Sequence, residues 1–220
     1  MTGKADEDTE EQAMGSRQLR RAESDRKMLR AALSLISRHG TVGASMAQIG
    51  IDAGYSRGLP VQRFGTKLAL LEAAIDAIEE RFLRKVTERT ADKHGLAALA
   101  ERISYQIEAV QDMPDAAIAL YHLIVDATGS IPELKPRVTQ LLEAYRKNLR
   151  GFFDQAARAG ELREDIDIDT YVRTISGTIS GISIQSLIID RESGRLRDDA
   201  RFIASMFIRQ VARNPGEVVP

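Results

Sequence analysis

From Lys27 to His39 the apolar residues recur at Leu29, Ala32, Leu33 and Ile36. This is the i, i+3, i+4, i+7 stripe of an amphipathic helix with one buried face. Ser24 or Asp25 stands where an N-cap would open it, and Gly40 where a residue in the left-handed region would stop it. A short second helix is predicted to open at Ser45, whose hydroxyl can accept from the amide of Ala47 or Gln48, and to run through Met46, Ile49 and Ala53 to Gly54. Ser56 then offers another N-cap. A helix, a brief Gly-containing turn and a second helix make the helix-turn-helix pattern. Beyond Phe64, Gly65-Thr66-Lys67 opens a longer helix through Leu70, Leu71, Ala74, Ile75, Ile78 and Phe82. Helical periodicity returns over 96–112, 116–128, about 134–159, 169–189 and 198–213, punctuated by Gly95, Pro114, Gly129, Pro132, Gly160 and Gly194. Sustained strand alternation is absent and no repeat recurs at a fixed period. The expected architecture is all-α with about nine helices.

Composition narrows the chemistry. The 220 residues suffice for one large or two small domains and for a core that needs no covalent staple. Cysteine is absent, which excludes disulfides, zinc-thiolate sites and thiol catalysis. The first residues are polar and acidic, without the apolar stretch of a signal peptide. The most apolar segment, Tyr171 to Ile189, is interrupted by Arg173 and seven Ser, Thr or Gln side chains, so it reads as a buried helix rather than a membrane span. A cytoplasmic protein without membrane association is expected.

The net charge of −1 hides an uneven distribution. Residues 1–15 carry one basic and five acidic side chains and few apolar ones, the composition of a disordered tail. Residues 16–67 carry ten basic and three acidic side chains, a net of +7, and 68–220 carry a net of −4. A compact basic module joined to a mildly acidic body is the footprint of a protein that meets a polyanion through one small domain. The expected domains are therefore an acidic tail over 1–15, a helix-turn-helix domain over 16–67 and a helical body over 68–220, linked by the helix that opens at Thr66.

The segment from Ser24 to Phe82 resembles the DNA-binding domain of the TetR family of bacterial transcriptional regulators. The resemblance rests on Leu29-x-Ala31-Ala32-x-x-Leu35-Ile36, Gly40, and Ser45-Met46-x-x-Ile49-Gly50-x-x-Ala53-Gly54-Tyr55-Ser56-Arg57-Gly58. It continues through Phe64-Gly65-Thr66-Lys67-x-x-Leu70-Leu71. It spans about sixty residues, and the rest of the chain is similar only in helix number and length. Val61 and Arg63 depart from the family pattern, which usually places a Tyr and a His there, and Pro60 removes an amide that would bond the Ser56 carbonyl. A bent or tight first turn of the third helix is expected.

The residue chemistry leads the same way. Ser56, Arg57 and Gly58 supply small or flexible groups where a backbone must approach a duplex. Gln62 suits adenine, and Arg63 suits the paired acceptors of guanine. Ser45, Thr66 and Lys67 stand at helix starts, where free amides and the dipole favour a phosphate. Phosphate contacts would fix register while the third helix reads sequence. Gly54-x-Ser56-x-Gly58 also matches the nucleophile elbow of α/β-hydrolases, but that motif needs a preceding strand in a parallel sheet, and here a helix precedes it. His39, His94 and His122 form no metal-binding pair, and no phosphate-binding or dinucleotide loop occurs. No enzyme, metal or cofactor is expected.

The body is expected to dimerise and to bind a ligand. Gly177 and Gly181, flanked by Ile184 and Ile188, lie on a helix apolar nearly all round. Ile203 and Phe207 on the last helix complete a candidate four-helix interface with a two-fold mate. The resemblance favours this homodimer over intrachain core, with two reading heads on a pseudo-palindromic double-stranded operator. It also implies a small-molecule effector, apolar or amphipathic, among Tyr105, Met113, Tyr121, His122, Tyr145, Phe152 and Phe153. Ligand binding would shift the fourth helix and change operator affinity, most simply as a repressor. The competing reading is a helical interaction protein whose basic face meets an acidic protein partner.

Overall fold

The computed structural model describes residues 3–189 and 195–216, with side chains from residue 17 onward. The break at Gly194 lies outside the described residues, whereas the backbone of the acidic tail from Gly3 onward is helical, where a disordered tail is expected. Among the described residues there are nine α-helices, one 3-10 turn at Pro132–Leu134, and no strand beyond an isolated bridge between Leu162 and Ala212. The chain divides into two compact units, residues 1–74 and 75–220.

The first unit is built on α1 (Gly3–Gly43), α2 (Met46–Asp52), α3 (Leu59–Phe64) and the start of α4 (Lys67–Arg89). Neither Ser24 nor Asp25 caps α1, because the Arg-, Gln- and Leu-rich run before them favours helix and carries it through. Ser24 Oγ instead donates to the Arg21 carbonyl at 2.7 Å. The break does fall at Gly40, with φ 68° and ψ 174°, a conformation that side chains with a Cβ rarely adopt. Met28, Ala32, Leu35 and Ile36 of α1 are buried, as are Ala44, Ile49 of α2, and Leu70 and Leu71 of α4, and α1 packs against α2.

Close approach of α2 to the turn before α3 depends on Gly50. A Cβ there would lie 2.5 Å from the Ser56 carbonyl oxygen and 3.1 Å from Pro60 Cδ. Ser45 caps α2 as expected, its Oγ accepting from Gln48 N at 3.2 Å. Ser56 does not cap α3. The amide of Leu59 bonds back to the Ser56 carbonyl at 3.1 Å, a tight turn, and the helix starts only at Leu59 after Gly58. Pro60 thereby falls in the first turn, where its missing amide costs nothing. Thr66 Oγ1 accepts from Ala69 N at 3.1 Å and caps α4.

The second unit holds the rest of α4 with α5 (Gly95–Asp112), α6 (Pro114–Asp126), α7 (Lys135–Arg158), α8 (Ile168–Ile189) and α9 (Leu196–Val211). Helix α5 is central and packs against α6, α7, α8 and α9. Its Leu96, Leu99, Ile103 and Ile107 are fully enclosed, and each contributes about 1.5–3 kcal/mol of burial. No α5 side chain caps its start. The carboxylate of Glu161 does so from a distant loop, accepting from Leu96 N at 2.7 Å against the positive helix end. That carboxylate occupies the space a Cβ on Gly95 would need, and Gly95 itself has φ +52°.

Helix α8 is long and apolar enough to cross a membrane by length and composition. Yet Val172, Ile175 and Ile179 are packed in the core of the unit with α5 and α9 residues, so one face of α8 is already committed to protein.

Candidate functional site

The first unit presents an exposed surface on and beside α3. Ser56, Arg57, Gly58, Val61 and Gln62 are all exposed, with Val61 at 51%. Val61 was not foreseen as part of this surface; its only sequence signal is an apolar residue beside Gln62 on the outer face of a short helix.

Arg63 sits differently from its neighbours. Its Nε donates to Asp25 Oδ1 at 2.8 Å and its Nη2 to Asp25 Oδ2 at 2.5 Å and to the Arg21 carbonyl at 3.3 Å. With 14% of its side chain exposed, it fastens α3 to α1 through Nε and Nη2. The geometry of Arg63 is thus that of an anchor between α3 and α1, in addition to its place on the expected base-reading helix. Isolated six-residue helices are not stable in water, so such an anchor has work to do.

Lys67 also has an internal partner. Its Nζ donates to the Val42 carbonyl at 3.2 Å, and partial burial holds its pKa below the usual lysine value. It remains half-buried at the start of α4, beside the exposed Thr66. Ser45 is exposed, and its hydroxyl proton remains available to an acceptor while its oxygen caps α2.

In the second unit the candidate ligand residues separate. Tyr105 and Tyr145 are buried on either side of Phe82, with ring centroids 5.6 and 4.7 Å from it. Phe152 lines a cavity of about 420 Å³ together with Leu83, Asn148 and Gly151. Tyr121 is partly buried, and desolvation holds its phenol above the usual value. Met113 ends α5 and precedes α6, also partly buried. His122 is exposed on α6. Phe153 is fully buried in the core against Tyr171, where its ring supports α7 rather than lining the cavity.

The residue that sequence reading missed is Arg102. It is wholly buried on α5, with its Cζ 4.5 Å from the centre of the Phe82 ring. Its Nε donates to Asn148 Oδ1 and its Nη1 to Gln106 Oε1, both at 2.6 Å. Nη2 has no partner. Burial pulls its pKa down to about 9. The available signal was register: Ala98, Arg102 and Tyr105 form one buried stripe on α5, with an arginine where an apolar residue belongs.

The candidate dimer residues separate as well. Ile184 and Ile188 are exposed, the latter at 79%, and a Cβ on Gly177 or Gly181 would meet nothing within 4 Å. Ile203 and Phe207 lie instead in the core of their own unit, on the inner face of α9. Phe202, one position along, is 70% exposed and stands on the outer face.

A helix-turn-helix with an exposed α3, joined to a separate helical unit, is an arrangement that can engage DNA. Among the described residues no group of three His, Cys, Asp or Glu side chains is placed to hold a metal. Residues 28–74 match the model of the family described as bacterial regulatory proteins, tetR family. That match covers the helix-turn-helix of the first unit, which is similar to the DNA-binding domain of this family. The chain is 22% identical over 165 residues to the HTH-type transcriptional regulator SrpR of Pseudomonas putida, covering 75% of this chain and 76% of that protein. The solved structure of the regulator FadR from Bacillus subtilis, in complex with stearoyl-CoA, is similar in fold, with a TM-score of 0.74 at 21% identity over 83% of this chain and 96% of that one. The SmeT–triclosan complex is similar with a TM-score of 0.73 at 19% identity, covering 90% and 95% of the two chains.

Proposed function

We propose that the protein is a cytoplasmic, homodimeric repressor that binds a pseudo-palindromic operator and changes its affinity when a small apolar or amphipathic molecule enters the 75–220 unit. The observation that carries this reading is the exposed surface of Arg57, Val61 and Gln62 on and beside α3, within a domain of the TetR family. Arg57 and Gln62 carry the donors and acceptors that read base edges, and Val61 offers an apolar contact to a thymine methyl. Ser45, Ser56, Gly58, Thr66 and Lys67 serve the backbone phosphates and set register. Arg63 positions α3 from behind.

The exposed Ile184 and Ile188 of α8 and Phe202 of α9, with the open faces of Gly177 and Gly181, support a dimer built on α8 and α9, because large apolar side chains gain from burial. A two-fold dimer presents two α3 helices to half-sites about one helical turn, roughly 34–36 Å, apart. That FadR and SmeT were solved with stearoyl-CoA and triclosan supports an apolar effector here. Helix α4 is continuous from Lys67 to Arg89, so it joins the reading unit to Phe82 and Leu83 beside the cavity. A ligand that moves α4 would alter operator affinity by a coupling of about 1–3 kcal/mol.

Selection of bound sequences from a random duplex pool, with purified protein at moderate salt, tests the reading. A recovered palindrome with one-turn spacing supports it. An intact dimer that enriches no sequence overturns it and favours an acidic protein partner for the basic face.

A further inference from the structure

Arg102 is a cation without a counter-ion. Among the described residues no carboxylate lies within ion-pair distance of it, and its two polar partners are the neutral amide oxygens of Asn148 and Gln106. Such oxygens relieve part of the desolvation but cancel none of the charge. The Phe82 face adds a cation–π attraction, and the buried hydroxyl-bearing rings of Tyr105 and Tyr145 lie close by. Nη2 still lacks any acceptor. A buried charge left this way costs several kcal/mol.

Arg102 is linked to a cavity through Asn148. Asn148, which accepts from its Nε, also lines the cavity of about 420 Å³ with Leu83, Lys147, Gly151 and Phe152. That volume lies within the range of small-molecule sites. The cavity wall is mainly apolar, with Lys147 as a second cation. Guanidinium groups are suited to carboxylates by their planar fork and weak hydration.

We propose that the effector is an apolar molecule bearing a carboxylate, and that the carboxylate neutralises Arg102 through Nη2 while the apolar portion occupies the adjoining cavity. This rests on the effector-binding reading above and specifies its chemistry. Arg102 is then the specificity-determining residue of the site: it rejects neutral analogues because they leave its charge unpaired. Phe82 on α4 stacks on the same guanidinium, so pairing Arg102 with an anion acts directly on the helix that continues into the reading unit.

The test compares decanoate with decanol, equal in chain length and differing in charge, on the full-length protein by calorimetry and by release from the selected operator. Decanoate is expected to bind at least about tenfold more tightly than decanol, the factor a charge-assisted contact supplies. The Arg102→Met variant keeps the volume and removes the cation. It is expected to melt no lower than the wild type, to lose the preference for decanoate, and to bind decanol as before. Equal affinity of the wild type for the two probes overturns the carboxylate proposal and leaves the effector reading standing; this comparison needs no variant. A preference for decanoate that survives in Arg102→Met overturns the assignment to Arg102. If carboxylates and alcohols from four to sixteen carbons all fail to bind or to release DNA, both readings fall.

Discussion

Removing Arg63 separates two roles for a basic residue on a reading helix. If Arg63 reads a base, Arg63→Ala flattens the preference at one operator position and leaves the rest unchanged. If it anchors α3 to α1 through Asp25, the loss is felt on every duplex. The geometry sets the size of the effect. Two charge-assisted bonds at 2.8 and 2.5 Å join the pair, with 14% of the arginine and 33% of the aspartate side chain exposed. Fully exposed pairs contribute about 0.2–1 kcal/mol, and a bidentate, partly buried one more, so a coupling of about 1–2 kcal/mol is expected.

A double-mutant cycle of Arg63→Ala and Asp25→Ala, followed by urea unfolding, reads that coupling directly. The DNA assay is more discriminating. Each variant is titrated against the selected operator and its single-base-pair variants. Arg63→Ala and Asp25→Ala are expected to weaken all of them about equally, by roughly 5–30-fold, with the double variant little worse. The Asp25 arm carries the decision. Taking a carboxylate away from a DNA-facing domain favours a polyanion electrostatically, so weaker binding can only come from the lost anchor. Tighter binding by Asp25→Ala, or a preference flattened at one position by Arg63→Ala alone, refutes the anchoring argument and restores Arg63 as a reader.

Gly50→Ala drives a methyl group against the Ser56 carbonyl oxygen and Pro60, and is expected to destabilise the first unit by about 1–3 kcal/mol, visible by thermal unfolding and as loss of DNA binding. Lys67→Ala should weaken binding to selected and random duplexes alike and lower the slope of log affinity against log salt by about one, measured by fluorescence anisotropy over a salt series. Ile188→Glu or Phe202→Glu should dissociate the dimer while leaving the helical circular dichroism of the protomer intact, as light scattering would report; an unchanged dimer places the interface elsewhere.

The helices were legible because each carries its own period and its own punctuation. Ser45, Gly40 and Thr66 act at the helix ends where their chemistry predicts, since a cap is a local transaction between a side chain and an amide two or three residues away. The start of α3 was less legible: Ser56 is as good a cap as Ser45, and only the demand of Pro60 for a first-turn position moves the helix to Leu59. On the last helix, Ile203 and Phe207 share an apolar stripe with Phe202 nearby, and periodicity does not say which side of such a helix faces its own core and which faces water. That choice is made by α5, which claims the inner face.

The two arginines mark where local reading ends. Arg63 stands among exposed polar residues on a DNA-reading helix, and its sequence neighbours give it the same role as Gln62. Its partner Asp25 is 38 positions away on another helix, and no pattern in one chain links them. Arg102 presents the opposite case. It interrupts the buried stripe of Ala98 and Tyr105, and by burial cost alone an apolar residue belongs there. Asp25 resolves the charge of Arg63 within the protein. Nothing in the described structure resolves that of Arg102, and a cation kept in a core at such cost is best explained by an anion that arrives from outside. One arginine therefore fastens α3 to α1, and the other, on the proposal above, couples an effector carboxylate to Phe82 of α4.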